Sequence, residues 1–427
     1  MFKVLVIAYY YPPMGLSGVQ RTLKFTKYMS KFNWKPTVIT AGSTGYYAHD
    51  NYLLNEALNS DIEIIRTEGR DPNSLLSRYG TIKMPRESIR KLLGKISKTI
   101  FIPDNKKSWA NQAYKKAKQL LTDENFDIIY VSIPPFSAFD MAAKLKKEFG
   151  IPLCVDYRDL WTGNQFAYYP TPFHKSKHKK LEDAALRVAD RIIVVNRRIK
   201  EELLQNFQFL KFEDVSIIPH GFDHADFENV KQLPKINSKI KLTYSGIFYE
   251  NITPKYFLKA FKQITVERPD VAANFELHFV GLFRKENIKL VRKLRLENFV
   301  HIHGYLNHKD ALQKVVSSDI LWLTLSDTQN MDKVSAGKLF EYFGTRKPII
   351  AMVPDGASKT AANEYGASFI TAPTDIEKIK HTLIKVYDLY QANKLPMPDE
   401  EYVIGHNREG LTEKLTKEFQ FNLKEIE

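Results

Sequence analysis

The stretch FKVLVIAYYYPPMGLSG, residues 2–18, decides the architecture. Its first seven residues are apolar but for Lys3, the kind of run that belongs to a strand covered on both faces. The Gly/Pro loop 9–18 ends it. Phe25, Tyr28, Met29 and Phe32 then recur at helical spacing, and PTVIT (36–40) reads as a second strand. Strand, helix and strand in succession form a parallel crossover unit.

Working outward, the alternation continues through IEIIR (62–66), DIIYVS (127–132), PLCVD (152–156), RIIVV (191–195) and VSII (215–218). A polar stretch, HADFENVKQLPKINSK (224–239), interrupts it and reads as a linker. A second series follows: KLTYSG (241–246), FELHFVG (275–281), FVHIHG (299–304), ILWLTL (320–325), PIIAMV (348–353) and ASFIT (367–371). Helices are predicted near 376–392 and 408–424. The expectation is α/β, with two doubly wound, Rossmann-like domains facing across a cleft. The first spans 1–223 and the second 240–399. Ligands of such sheets bind at the carboxyl ends of strands, here the loops 9–18, 132–137, 157–164 and 326–337.

Composition narrows the function. The chain has 427 residues and a net charge of +14, from 63 basic and 49 acidic residues, which favours an anionic partner. The single cysteine, Cys154, excludes a disulfide framework and suits a reducing cytosol. No apolar run reaches membrane-span length, and the N-terminus reads as a first strand rather than a signal peptide. Basic residues are scattered without a recognised nucleic-acid module, so no nucleic-acid partner is expected. The P-loop, the G-x-G-x-x-G fingerprint and the G-x-S-x-G elbow are absent. No D-x-D triplet occurs and no Cys/His cluster has metal spacing, so neither metal nor cofactor is expected. HKSKHKK (174–180) reads as a solvated loop, because its lysines would repel a cation.

SAGKLFEYFGTRKPII (335–350) is a small-residue loop opening into a helix. Ser335, Ala336 and Gly337 permit close backbone approach, and the helix N-terminus and Lys338 suit a diphosphate. Glu341, one turn on, suits a pair of vicinal hydroxyls. Taken alone, the same residues also suit an amphipathic helix with an i, i+3 ion pair.

Much longer stretches carry a resemblance. KVLVIAYYYPPMGLSGVQR, WKPTVIT, VSIPPFSAF, PLCVDYRDLW, ADRIIVVN, SIIPHGFD, YSGIFY, FVHIHGYLNHKDALQKVVSSDILWL and GKLFEYFGTRKPII occur in order over nearly the whole chain. Together they resemble the retaining glycosyltransferases of family four, which have the GT-B fold. REGLTEKLTKEF (408–419) resembles the terminal helix that crosses back to the N-terminal domain in that fold, which implies that a C-terminal helix in 400–427 joins the domain of 1–223.

The resemblance implies transfer of a sugar from a nucleotide-sugar donor to a glycan or lipid-linked acceptor, without a metal, in cell-surface polysaccharide or glycolipid synthesis. It implies that Glu341 binds the ribose and that Ser335, Ala336, Gly337, Lys338 and Leu339 hold the diphosphate. Ser245 and Gly246 would border the donor, and Gly15, Gly18 and Arg158 would face its phosphates or the acceptor. Asp159 would lie near the sugar; as a sequence feature it equally suits a helix N-cap. Two positions depart from the family pattern. Lys333 stands eight residues before Glu341, where a glutamate is common, and Ile247 stands where an arginine often follows the glycine. Lys338, Lys333, Lys255 and Arg284 are then the candidates to neutralise the leaving diphosphate, and Lys338 and Asp159 to act in catalysis.

RESIRKLLGKISKTI (86–100) places Ile89, Leu92, Leu93, Ile96 and Ile100 on one stripe among basic residues. It suits a helix lying on an anionic membrane, or an ordinary helix packed on the sheet. The expected location is cytoplasmic, peripheral on the inner face of the cell membrane. The rival readings are a nucleotide-sugar epimerase or hydrolase of the same fold, and a binding protein that has lost catalysis.

Overall fold

In a computed structural model, residues 1–42, 45–69, 81, 85–228 and 230–424 are described. They form two compact units, one of 1–220 with 408–427 and the other of 221–407.

Unit 1 holds a parallel sheet of seven strands: β1 Phe2–Ile7, β2 Trp34–Ala41, β3 Glu63–Thr67, β4 Ile128–Ile133, β5 Leu153–Tyr157, β6 Arg191–Val194 and β7 Val215–Ile217. Their order is β3-β2-β1-β4-β5-β6-β7, so the winding reverses between β1 and β4, where Val4 lies opposite Ile128. The apolar run of β1 follows from its central position. Leu5 and Ile7 enter one core with Trp109 and Phe139, while Val4 and Val6 enter a second with Leu23 and Phe25. That second core is completed by the helix Arg408–Lys424. Its Leu411, Leu415 and Phe419 recur every fourth residue and are fully buried. Phe419 meets the Trp34 ring edge-on at 5.2 Å. Burying each such side chain contributes about 1.5–3 kcal/mol, which holds the C-terminal helix in this unit.

Unit 2 holds six parallel strands: β8 Ile240–Ser245, β9 Phe275–Val280, β10 Val300–Gly304, β11 Ile320–Thr324, β12 Ile349–Met352 and β13 Ser368–Thr371. Their order is β10-β9-β8-β11-β12-β13, with the reversal between β8 and β11. Its core is strongly aromatic. Trp322 stacks on Phe257 at 4.0 Å and Tyr244 on Phe248 at 4.1 Å, which fixes where Tyr244 directs its hydroxyl.

Every expected strand is present, but two segments differ from the sequence reading. The polar stretch 224–239 is not a bare linker. It lies in unit 2, where His224–Glu228 is helical, Asp226 is buried and Lys235 bonds Asp319 at 2.9 Å. Unit 2 also runs on to Asn407, because Val403 is buried in its core. Its polar composition hid these contacts, which are made to residues far along the chain. HKSKHKK is not a loop but part of the helix Pro172–Leu186. His178 faces inward and accepts a 2.9 Å hydrogen bond from the Trp161 indole, while the lysines take the outer positions.

Among the described residues no helix is long and apolar enough to cross a membrane. The helix Glu87–Ile100 buries none of its residues. Its apolar stripe lies exposed, with Leu92 at 59% and Ile100 at 66% of full exposure. The reading of an ordinary helix packed on the sheet is therefore not what is observed.

Candidate active site

In unit 2 the carboxyl ends of β8 and β11 flank the point where the winding reverses, the usual place for a ligand crevice. The helix Gly337–Thr345 begins there. Gly337 and Lys338 are its first residues, so their N–H groups lack acceptors within the helix. A side chain at Gly337 would meet nothing within 4 Å, which leaves its backbone open to a ligand. The loop before the helix is pinned by Ser358, whose hydroxyl donates to Val334 O (2.7 Å) and accepts from Ala336 N–H (3.2 Å).

Lys338 is partly buried and donates to Tyr244 Oη at 2.7 Å. Its ammonium lies 4.1 Å from the centre of the Tyr244 ring, a cation–π contact. It also fills the space beside Gly246, where a Cβ would come within 2.3 Å of Nζ. Gly246 has φ +134°, which a residue with a side chain rarely adopts. Burial lowers the Lys338 ammonium to about 7, with Glu341 pulling the other way. A cation held this way is under-solvated and gains from an arriving anion.

Glu341 follows one turn on, partly exposed, with Oε1 3.5 Å from His308 Nδ1. His308 Nε2 lies 2.9 Å from Asp226 Oδ2. The chain Asp226–His308–Glu341 thus braces the carboxylate from behind. Tyr342 accepts the Ser245 N–H at 2.8 Å and ties the end of β8 to the helix.

The structure brings Gly246, Gly337, Lys338 and Glu341 together at the carboxyl end of the sheet, beside β8 and β11. Other expected donor residues serve differently. Ser245 gives its N–H to Tyr342, and Ala336 gives its N–H to Ser358. Leu339 is fully buried in the core, and its N–H bonds Ala336 O at 2.9 Å, because the helix turns that position inward. Lys333 ends the short 3-10 helix Met331–Lys333 after β11 and Ser335 lies just beyond it, Lys255 opens the helix Lys255–Glu267 after β8, and Arg284 precedes the helix Lys285–Leu294 after β9. Tyr244, Tyr342 and His308 were missed by sequence reading. Only the tyrosine of the FEY stretch left a local signal.

In unit 1 the carboxyl-end loops are held by Arg158. It donates to Ile133 O (3.2 Å), Pro134 O (3.0 Å) and Gly18 O. Arg158 is thus a brace for these loops, with backbone carbonyls taking three of its five N–H groups. Gly15 bonds Ala48 O through its N–H at 2.9 Å, and a side chain at Gly18 would meet nothing within 4 Å. Asp159 caps no helix, since the next one begins at Pro172. It lies 3.5 Å from the Gln165 amide, and burial raises its carboxyl, offset by Arg158 and Gln165. Beneath these loops Arg21 and Asp156 form a buried ion pair at 2.8 Å, and the Arg21 guanidinium also bonds Ile218 O and Pro219 O. This pair, invisible as spacing, ties the helix Ser17–Met29 to β5 and the end of β7.

The two halves also match known families. Residues 18–226 match Glycosyltransferase Family 4, and residues 226–396 match Glycosyl transferases group 1. No curated protein matches the sequence. Among solved structures, a glycosyltransferase from Rickettsia africae is 15% identical, with 99% of each chain covered and a TM-score of 0.64. HepE of Anabaena, crystallised with UDP, is 13% identical, covering 100% of this chain and 98% of its own, with a TM-score of 0.60. WaaG, a glycosyltransferase involved in lipopolysaccharide biosynthesis, is 12% identical, covering 96% and 98%, with a TM-score of 0.60. At such identities the likenesses speak for the fold, and the family matches join end to end over residues 18–396. The chain belongs to the group 1 glycosyltransferases and has their GT-B fold of two Rossmann-like domains.

Proposed function

We propose that the protein moves a sugar, with retention and without a metal ion, from a nucleoside diphosphate donor to a glycan or lipid-linked acceptor. The observation that carries this reading is Lys338, whose desolvated ammonium is held against Gly246 at an open helix N-terminus, one turn before Glu341. Lys338 and the amides of Gly337 and Lys338 take the diphosphate, and Glu341 takes the ribose hydroxyls. HepE, a structural neighbour, was crystallised with UDP-glucose, which makes a uridine donor the first to test.

In the reaction the bond from the anomeric carbon to the diphosphate oxygen breaks as the acceptor oxygen bonds the same carbon. The acceptor's proton passes to the leaving phosphate oxygen, so no histidine base is required. Negative charge develops on the diphosphate, where Lys338 and the helix amides are already placed. Asp159, with its raised carboxyl, acts beside the sugar or acceptor hydroxyl. The exposed basic helix Glu87–Ile100 places the enzyme on the cytoplasmic face of an anionic membrane, where lipid-linked acceptors for cell-surface glycans are found.

A thermal-shift screen over nucleotide sugars tests the reading. A ligand at 100 times its dissociation constant stabilises by about 2.7 kcal/mol. Donor turnover that requires an acceptor supports transfer. Turnover without one indicates an epimerase or hydrolase, and a shift without turnover indicates a binding protein, the reading that Lys333 and Ile247 favour.

A further inference from the structure

Unit 2 carries a second cluster, on strands that present one apolar and one polar face. Phe275, Leu277 and Phe279 of β9 enter the core, so Glu276 and His278 point the other way. On the neighbouring edge strand β10, His301 lies opposite His278 in register, and His303 follows two residues on. Alternation therefore places Glu276, His278 and His301 on one face of two adjacent strands, and although the register shifts between Ile302 and Gly304, His303 reaches the same face to meet His278.

The side chains converge. The rings of His278 and His301 stack at 4.7 Å, and His278 Nε2 lies 3.3 Å from Glu276 Oε2. One ligand atom from each of Glu276, His278 and His301 falls within 4.8 Å of the others, so small side-chain rotations bring all three to one ion. His278 Nδ1 lies 2.9 Å from His303 Nε2. When Nδ1–H donates to His303, Nε2 carries no proton and its lone pair faces the acceptor Glu276 Oε2, an arrangement that a cation between them satisfies. Metal-bound imidazoles are characteristically oriented by such a hydrogen bond through the other ring nitrogen.

We infer that Glu276, His278 and His301 bind one zinc-type divalent cation, with His303 as the positioning residue that orients His278. Two imidazoles and a carboxylate are ligands that zinc accepts, and three protein ligands leave a fourth position for water or another donor. The Asn237 amide bonds Glu276 Oε1 at 2.8 Å, which leaves Oε2 to face the imidazoles. Lys241 and Lys314 act on these imidazoles and oppose a dication, which weakens the site without removing its ligands. The cluster stands on β9 and the edge strand β10, while the helix Gly337–Thr345 follows β11 on the far side of β8, so its occupancy is separable from donor binding.

Titration of the chelator-treated full-length protein with zinc chloride, followed by calorimetry, tests this, with cobalt(II) visible absorption as the coordination readout. One equivalent should bind, with a cobalt spectrum of low-coordinate nitrogen and oxygen ligation. His301 is exposed, so His301→Ala keeps the fold, checked by circular dichroism, and should lose at least about a hundredfold in affinity. Loss of an orienting partner typically costs 10–100-fold, the result expected for His303→Ala. Absence of zinc binding by the wild-type protein, or equal affinity in His301→Ala, overturns the site. Equal affinity in His303→Ala overturns the role given to His303.

Discussion

The Nζ of Lys338 lies 2.7 Å from the Tyr244 hydroxyl and 4.1 Å from the centre of its ring. A lysine on the first turn of one helix is thus set by an aromatic residue at the end of the central strand of unit 2. Burial brings its ammonium down to about 7 from the ordinary 10.5. The free site therefore loses its cation just above neutrality, while a bound diphosphate favours the charged form. Binding should take up a proton between pH 7 and about 9, and UDP affinity should fall by up to about tenfold per pH unit there. Stability of the free protein runs the opposite way. The unfolded chain keeps the lysine proton up to 10.5, so this lysine's contribution is complete above 10.5 and declines as pH falls toward 7. Calorimetry in buffers of different ionisation enthalpy measures the proton uptake, and Lys338→Met should abolish it. A flat wild-type pH profile would refute the role of Lys338.

Gly246→Ala should disturb the site at its floor. The new Cβ would stand 2.3 Å from Lys338 Nζ, at a backbone φ of +134°. The strain costs about 1–3 kcal/mol of stability, visible as a lower Tm. Displacement of the ammonium should weaken UDP binding by at least about tenfold beyond that of a control destabilised elsewhere in the unit.

Glu341→Ala should weaken donor binding while the fold persists, since Glu341 is only partly buried. Losing hydrogen bonds to a charged acceptor costs about 1.5–3 kcal/mol. The same loss should be much smaller with a donor analogue lacking both ribose hydroxyls. Equal affinity of mutant and wild type for the intact donor would remove Glu341 from the ribose.

Asp159→Asn should lower kcat far more than donor affinity, because its carboxylate stands on a carboxyl-end loop of unit 1 rather than in unit 2, where the donor is proposed to bind. A kcat retained within about threefold is below 1 kcal/mol of barrier, and would make Asp159 structural.

The helix Glu87–Ile100 should carry the protein to anionic vesicles in flotation. Its Ile/Leu stripe is exposed, and each nearby Lys or Arg adds roughly 1 kcal/mol of attraction to anionic lipid. Binding should be weak to neutral vesicles and partly released by salt. Changing Arg90, Lys91, Lys95 and Lys98 to Gln should remove most of it while activity on a soluble acceptor analogue survives. Failure of the wild type to float at low salt would count against any membrane role for this helix.

The sequence by itself determined the two parallel sheets, the thirteen strands that they hold among the described residues and the helix that opens at Gly337. Those features arise from local rules: apolar runs where a strand is covered on both faces, helical periodicity, and small residues where backbone must be approached. Tertiary structure alone decided the site's second layer. Tyr244 meets Lys338, His308 meets Glu341 and Arg21 meets Asp156 across 94, 33 and 135 residues of chain, and no spacing rule spans such separations. The same reason explains why 224–239 read as a linker and why the histidines of β9 and β10 went unnoticed. Each strand shows only its own alternation, and the hydrogen bonds and ion pairs that give a polar residue its role depend on which strand lies beside it.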